Sequence, residues 1–290
     1  MAQLSLERPK IKAYSALVIG IFCIGLSAIF VKFANLPGAV SGLYRVFIAA
    51  IVLVPWWLTK RTALPNIQNI ALISLGGLFF ALDLWLWNSS LLITTAAKST
   101  LLANNAPLWV GLGAMVIFHE RLAQKFWFGL AISIIGMLVI LGIDTLRELS
   151  INIGDLMAVA ASFFYAAYLL ITQRARNSVD TLTFNFIYMS AAVMILLPIN
   201  LAGGYQIFGF SERTWLALVG LGLVSQLGGW LAINFALGHL SAARVSVSLL
   251  GQAVVTALLG IPLLGEILTF NQIVGGILVL GGIYLVYQKK

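Results

Sequence analysis

The sequence predicts an all-α polytopic membrane protein, with ten transmembrane helices arranged as two inverted five-helix repeats. Three observations predict it. Of 290 residues, 61% are hydrophobic and 9% charged, with a mean hydropathy of +1.03. Soluble domains carry roughly a quarter charged residues, so this chain lacks the polar surface that water would require. Apolar runs of about 20 residues, enough to cross a bilayer core, recur ten times. Finally, residues of the first half return in the second half at one fixed offset.

The first helix, residues 13–34, follows a basic stretch that resembles the start of a signal peptide. Its apolar run has no A-x-A-like cleavage site, so it is expected to be kept as a span. The second, 39–59, carries Arg45 in "LYRVFIAA", and the third, 69–91, carries Asp83 in "FFALDLWLWNSSLL". The fourth, 97–117, contains "NNAP", and the fifth, 123–141, follows "HERLA". The remaining five fall at 153–173, 181–201, 213–236, 242–263 and 269–287, with short connections that leave no room for a soluble domain. Backbone groups in hydrocarbon must be bonded within their own segment, which makes these runs helices, and the alternation of barrel strands is absent.

Basic residues set the expected orientation. With the N-terminus in the cytoplasm, Arg8, Lys10, Lys12, Lys60, Arg61, Arg121, Lys125, Arg174, Arg176, Lys289 and Lys290 are inside. Only Arg147 and Arg213 are in outer loops. Cytoplasmic loops accumulate Lys and Arg, so both termini are expected inside. The net charge of +8 has the same origin, and no basic-aromatic stretch suggests nucleic acid. Cys23 is the single cysteine, which excludes an intrachain disulfide and a cysteine metal cluster. No metal or cofactor is expected, the lipid bilayer is the surrounding partner, and a monomer is expected.

The internal repeat divides the chain at 1–145 and 146–290. "AAK" at 96–98 matches "AAR" at 242–244, an offset of 146. At that offset Asn88 matches Asn234, Glu120 matches Glu266, Gly129 matches Gly275 and Gly136 matches Gly282. A repeat of five helices is odd-numbered, so the second copy enters the membrane inverted. Inverted repeats characterise secondary transporters, whose site lies near the midplane.

Two such halves, ending in "HERL" and "GE-L" loops and Gly-spaced final helices, resemble the drug/metabolite transporter superfamily with its EamA-type fold. "LYRVFIAA" (43–50) and "NSSLLITTAAKSTLLANNAPLW" (88–109) are similar to its second helix and its third-to-fourth-helix segment. Within it the chain looks closest to the bacterial YddG-type aromatic amino acid exporters. The resemblance implies a central cavity lined by helices 1, 3, 4, 6, 8 and 9, and export from the cytoplasm across a bacterial inner membrane. His119-Glu120 departs from the superfamily's usual "GE".

Candidate substrate-binding residues follow from polar groups placed in apolar helices, where they are costly and tend to face the bundle interior. Asp83, Trp87 and Ser90 share one face, offering a carboxylate for an ammonium and an indole for stacking. The alternatives for Asp83 are an ion pair with Lys98 or Arg45, or a protonated acid bonded to a neighbour. Lys32 and Arg45 are expected to snorkel to the headgroups. Asn104 and Asn105 stand beside Pro107, which frees the carbonyl of Ala103, and suit a zwitterion or an interhelical hydrogen bond. Ser162 and Tyr165 on helix 6, Gln226, Trp230 and Asn234 on helix 8, and Ser248 and Gln252 on helix 9 complete the set. Ala97 and Ala243 are candidate gate residues, where small side chains permit close approach, and Pro107 and Pro262 permit bending.

An enzyme is not expected. "HERLA" lacks the second His of a zinc site, and no nucleophile elbow, P-loop or dinucleotide fingerprint is present. The reading is a secondary or facilitative exporter of amino acids, favouring aromatic and other large apolar ones, by alternating access. Drugs or other small metabolites such as purines and polyamines are the alternative cargo. An intramembrane enzyme or a channel subunit is the alternative class.

Overall fold

The structure, a computed structural model, describes residues 2–59, 64–142 and 151–288, without the side chains of 2–9, 96 and 97. Among the described residues there is no strand, and ten helices are long and apolar enough to cross a membrane. They are α1 (Lys10–Ala34), α2 (Gly38–Thr59), α3 (Ile67–Ser90), α4 (Lys98–Ile117) and α5 (Gln124–Leu141). They continue as α6 (Ile153–Ala175), α7 (Thr181–Ala202), α8 (Glu212–Leu237), α9 (Ala242–Leu264) and α10 (Phe270–Tyr287). Each lies within a few residues of its expected bounds, because the apolar run is the span. The charges of Arg8, Lys60, Arg61, Arg147, Lys289 and Lys290, used above for orientation, and the side chain of Ala97, fall outside the described residues.

Helix starts are fixed by short polar side chains that accept the orphan amides of the first turn. Asp180 takes the amides of Leu182 and Thr183 at α7, Ser211 that of Thr214 at α8, and Thr269 forms a capping box with Gln272 at α10. Asp180 lies outside the spans. Burial pushes its carboxyl up, but hydrogen bonds from Thr183 and Leu182 and the charge of Arg176 outweigh that and hold it below the usual carboxylate range.

The chain forms two compact units, Met1–Ala81 with Ile171–Ser241, and Leu82–Leu170 with Ala242–Lys290. In the first unit α2 and α7 run antiparallel. Trp57 Nε1 donates to Thr183 Oγ1 at 3.2 Å near one end, and Asn200 Nδ2 to Ala39 O at 3.1 Å near the other. Helix α8 lies along α1 through Gly229 against Ile24 and through Ser225 Oγ, which donates to Cys23 O at 2.9 Å. Between Leu221 and Gly229, α8 widens into a π-helix.

In the second unit α5 and α10 pack antiparallel with backbone against backbone. A Cβ on Gly129 would lie 2.5 Å from Gly282 O, and one on Gly136 would lie 2.7 Å from Gly275 O. Ser133 Oγ, between them, reaches Val279 O at 3.4 Å, the residue 146 positions on. Only glycine permits such an approach, and small residues do this work in membranes, where apolar burial gives helices little reason to associate.

This packing makes a paired prediction. Gly136→Leu is expected to cost on the order of 1–3 kcal/mol by overpacking, whereas Gly281→Leu, where a Cβ meets nothing within 4 Å, should be neutral. Thermal unfolding in detergent, followed by loss of the monodisperse peak, separates the two; equal melting points would refute the close-packed seam.

Candidate functional site

The second unit contains two helices broken at matching places. Helix α4 is built of Ala96–Ala103 and Ala106–Ile117, interrupted at Asn104 and Asn105. Helix α9 is built of Ala242–Leu249 and Gln252–Leu264, interrupted at Leu250 and Gly251, the same offset of 146 from the first break. The break in α4 follows from its sequence. Pro107 has no N–H for Ala103 O, and the turn tightens through Asn105 N to Leu102 O at 3.2 Å and Leu108 N to Asn105 O at 2.9 Å. At the α9 break the chain makes the corresponding short turns, Leu250 N to Val247 O and Gly251 N to Ser248 O, without a proline.

The two pieces of α9 are buried unequally. In Ala242–Leu249 every residue except Arg244 is buried, Ala243 completely, and this piece packs against Ala106–Ile117. In Gln252–Leu264 only Gly260 is buried, and Pro262 is exposed.

At the start of α4 Lys98 reaches Asp155 at 2.6 Å. Asp155 also takes Thr94 Oγ1 at 2.8 Å and the amide of Asn152 at 3.0 Å, while its own amide donates to Asn152 Oδ1 at 3.0 Å. Asn152 and Asp155 thus cap α6 reciprocally, and Lys98 neutralises the buried acid. Sequence reasoning missed Asp155, the third residue of the sixth span; the "NIGD" cap spacing was the available signal.

Several other polar groups of this unit are engaged. Trp109 Nε1 donates to Ser162 Oγ at 2.9 Å, and Ser162 donates to Val159 O. Ser248 shares a 2.9 Å hydrogen bond with the Tyr287 hydroxyl, and Ser90 is hydrogen-bonded to Ser99. Asp83, Trp87, Asn104, Asn105, Tyr165 and Gln252 are half-buried, and Pro107 is buried. The Trp87 indole nitrogen is itself buried with no hydrogen-bond partner among the described residues.

The first unit holds Gln226, Trp230 and Asn234, all buried. Gln226, in the π-helix, accepts from Arg45 Nε at 2.7 Å and donates to the Tyr188 hydroxyl at 3.0 Å. Arg45 therefore turns inward instead of snorkelling as expected, because a completely buried amide offers it an acceptor. Asn234 Nδ2 donates to Asn185 Oδ1 at 3.0 Å, and Trp230 packs edge-on to Phe80. All three are tightly packed, and the two amides are hydrogen-bonded, whereas the Trp230 indole nitrogen is buried with no hydrogen-bond partner among the described residues. A separate cavity of about 490 Å³ opens in the same unit beside Trp56, Asp180, Leu231 and Phe235.

Comparison with known proteins adds the family. The model of the EamA-like transporter family matches twice, over residues 11–142 and 152–288. The chain belongs to the EamA-like transporter family. It is therefore a multi-pass membrane protein of a transporter family. It is 24% identical over 253 residues to the uncharacterized transporter YdfC of Bacillus subtilis, covering 85% of this chain and 81% of that one. To the riboflavin transporter of Vibrio cholerae it is 25% identical, covering 68% and 65%. To a probable amino-acid metabolite efflux pump of Salmonella typhimurium it is 26% identical, covering 64% and 65%. A solved crystal structure shares the fold at a TM-score of 0.79 and 19% identity, covering 94% of this chain and 98% of that one.

The ion pair at the head of α4 yields a prediction. Lys98→Met leaves an uncompensated acid with its side chain 5% exposed, and should cost about 3–5 kcal/mol. Adding Asp155→Asn, which keeps a capping oxygen, should restore most of the loss in a detergent melt. No recovery in the double variant would mean that Lys98 acts elsewhere.

Proposed function

We propose that this protein is an inner-membrane secondary or facilitative exporter of amino acids, favouring aromatic and other large apolar ones. The observation that carries the transport mechanism is the pair of helix breaks at equivalent positions of α4 and α9. Discontinuous helices in a membrane leave main-chain polar groups at mid-depth, where substrates are bound. The twofold family match supports a division at 1–145 and 146–290. The seam of α5 and α10 supports the inversion of the second repeat. Gly129 meets Gly282 and Gly136 meets Gly275, so each glycine faces its partner's equivalent, as residues around a twofold axis do.

Alternating access then uses the unequal halves of α9. The buried Ala242–Leu249 piece closes one end, with Ala243 as the small residue that permits contact. The Gln252–Leu264 piece borders the open end, and exchange of these two packings moves the cargo. Asp83 and the unspent indole N–H of Trp87 supply one acceptor and one donor for a zwitterion. The amino-acid assignment draws on the name of the Salmonella relative. The name of the Vibrio relative favours a second reading, a larger aromatic metabolite as cargo.

Counterflow of labelled phenylalanine in proteoliposomes tests the cargo. Asp83→Asn should fold normally and reduce counterflow by about tenfold, equivalent to about 1.4 kcal/mol. Wild-type rates in a well-folded Asp83→Asn preparation would remove Asp83 from the site, and absence of counterflow in the wild type would remove the amino acid.

Orientation is tested separately. In a Cys23→Ala background, a cysteine at Ser211 should react with a membrane-impermeant thiol reagent from outside, and one at Asn177 should not. The reverse pattern would overturn the cytoplasmic placement of both termini and the direction of export.

A further inference from the structure

The turn that breaks α4 carries acceptors with almost no donors. Asn104 Nδ2 donates to Thr100 O at 2.8 Å, and Asn105 Nδ2 donates to Leu101 O at 3.0 Å and Leu102 O at 3.3 Å. Asn105 thus spends both of its N–H groups on its own helix and Asn104 one of its two, and neither side-chain oxygen receives a hydrogen bond from a described residue. Neither oxygen is sealed in the interior, since the buried atoms without partners do not include them. The main chain adds to the set. Ala103 O has lost its donor to Pro107, and Leu108 N turns to Asn105 O, bypassing Asn104 O.

Two further donors of this unit are spent. Trp109, one turn after Asn105, gives its indole N–H to Ser162, and Ser162 gives its hydroxyl to Val159 O. Unbonded oxygens facing hydrocarbon would cost several kcal/mol each, so these face water or a ligand. The equivalent break in α9, Leu250-Gly251, has no side-chain oxygens. The acceptor set is confined to α4.

A primary ammonium has three N–H donors and no acceptor, and a carboxylate has acceptors alone. We propose that the Asn104–Asn105 turn is a primary-ammonium subsite, which takes the amino end of the transported molecule and repels its carboxylate. It rests on the transport reading above, and it implies that arylalkylamines without a carboxylate also bind.

The test uses the full chain in nanodiscs with Cys23→Ala and a reporter cysteine at Leu108, half-buried beside the turn. Alkylation by a small maleimide is timed with phenethylamine, 3-phenylpropionate, phenylalanine or sodium chloride. Phenethylamine and phenylalanine should slow alkylation at least fivefold (about 1 kcal/mol), and 3-phenylpropionate should not. Asn105→Leu should abolish the protection, whereas Asn105→Asp, which keeps the oxygens and adds charge, should strengthen it. Both variants lose the Nδ2 bond, so opposite effects separate ligand binding from helix capping. Equal protection by 3-phenylpropionate, weakening by both variants, or protection by sodium alone would overturn the proposal. Protection by phenethylamine without amino-acid counterflow would support the subsite and remove the amino acid as cargo.

Discussion

Every main-chain N–H and C=O in the bilayer core needs a partner from its own segment, because the surrounding hydrocarbon offers none. That constraint makes each apolar run of this chain a helix and limits where a helix is allowed to stop. It also gives meaning to the two places where one stops inside a span. At Asn104 and Asn105 the side-chain amides donate to carbonyls one turn back, which steadies the end of Ala96–Ala103 while leaving the oxygens unspent. The same break in a soluble protein would be filled by water and carry little information.

Once backbone groups are satisfied, helix association depends on fit and on polar contacts more than on apolar burial. The glycine seam of α5 and α10 supplies fit, with carbonyl oxygens at distances that exclude any side chain. Polar glue does the rest. Asn200 ties α7 to Ala39 of α2, Asn234 is bonded to Asn185, and Arg45, Gln226 and Tyr188 form one chain across three helices. The wider turn of the π-helix sets Gln226 between Arg45 and Tyr188, and such stretches recur at functional sites.

Buried polar residues of this protein therefore divide by what their hydrogen atoms and lone pairs are doing. Lys98 and Asp155 are matched in charge, and the acid is further held by Thr94 and Asn152, the arrangement a buried pair needs to offset desolvation. Gln226 and Asn234 are bonded into a packed interior. The Trp87 indole nitrogen and the amide oxygens at the α4 turn retain unused capacity, which is why those groups, and not the buried amides of α8, carry the proposed chemistry.

The spans were legible in the sequence by itself, because a bilayer demands a run of fixed length and that length is a one-dimensional property. Every expected boundary falls within a few residues of the observed helix. The residues that break α4 were legible too, since Pro107 removes a donor wherever it stands. Partners were not. Arg45 was read as snorkelling and found a buried amide, and Lys98 met Asp155, an acid the span pattern hid at its edge. The amides of Asn104 and Asn105 gave two meanings in sequence, zwitterion or interhelical bond, and only the folded turn decided which atoms remain free. A side chain's type is written in the chain, but how its hydrogen bonds are spent depends on residues brought near by tertiary packing, and no local spacing encodes them.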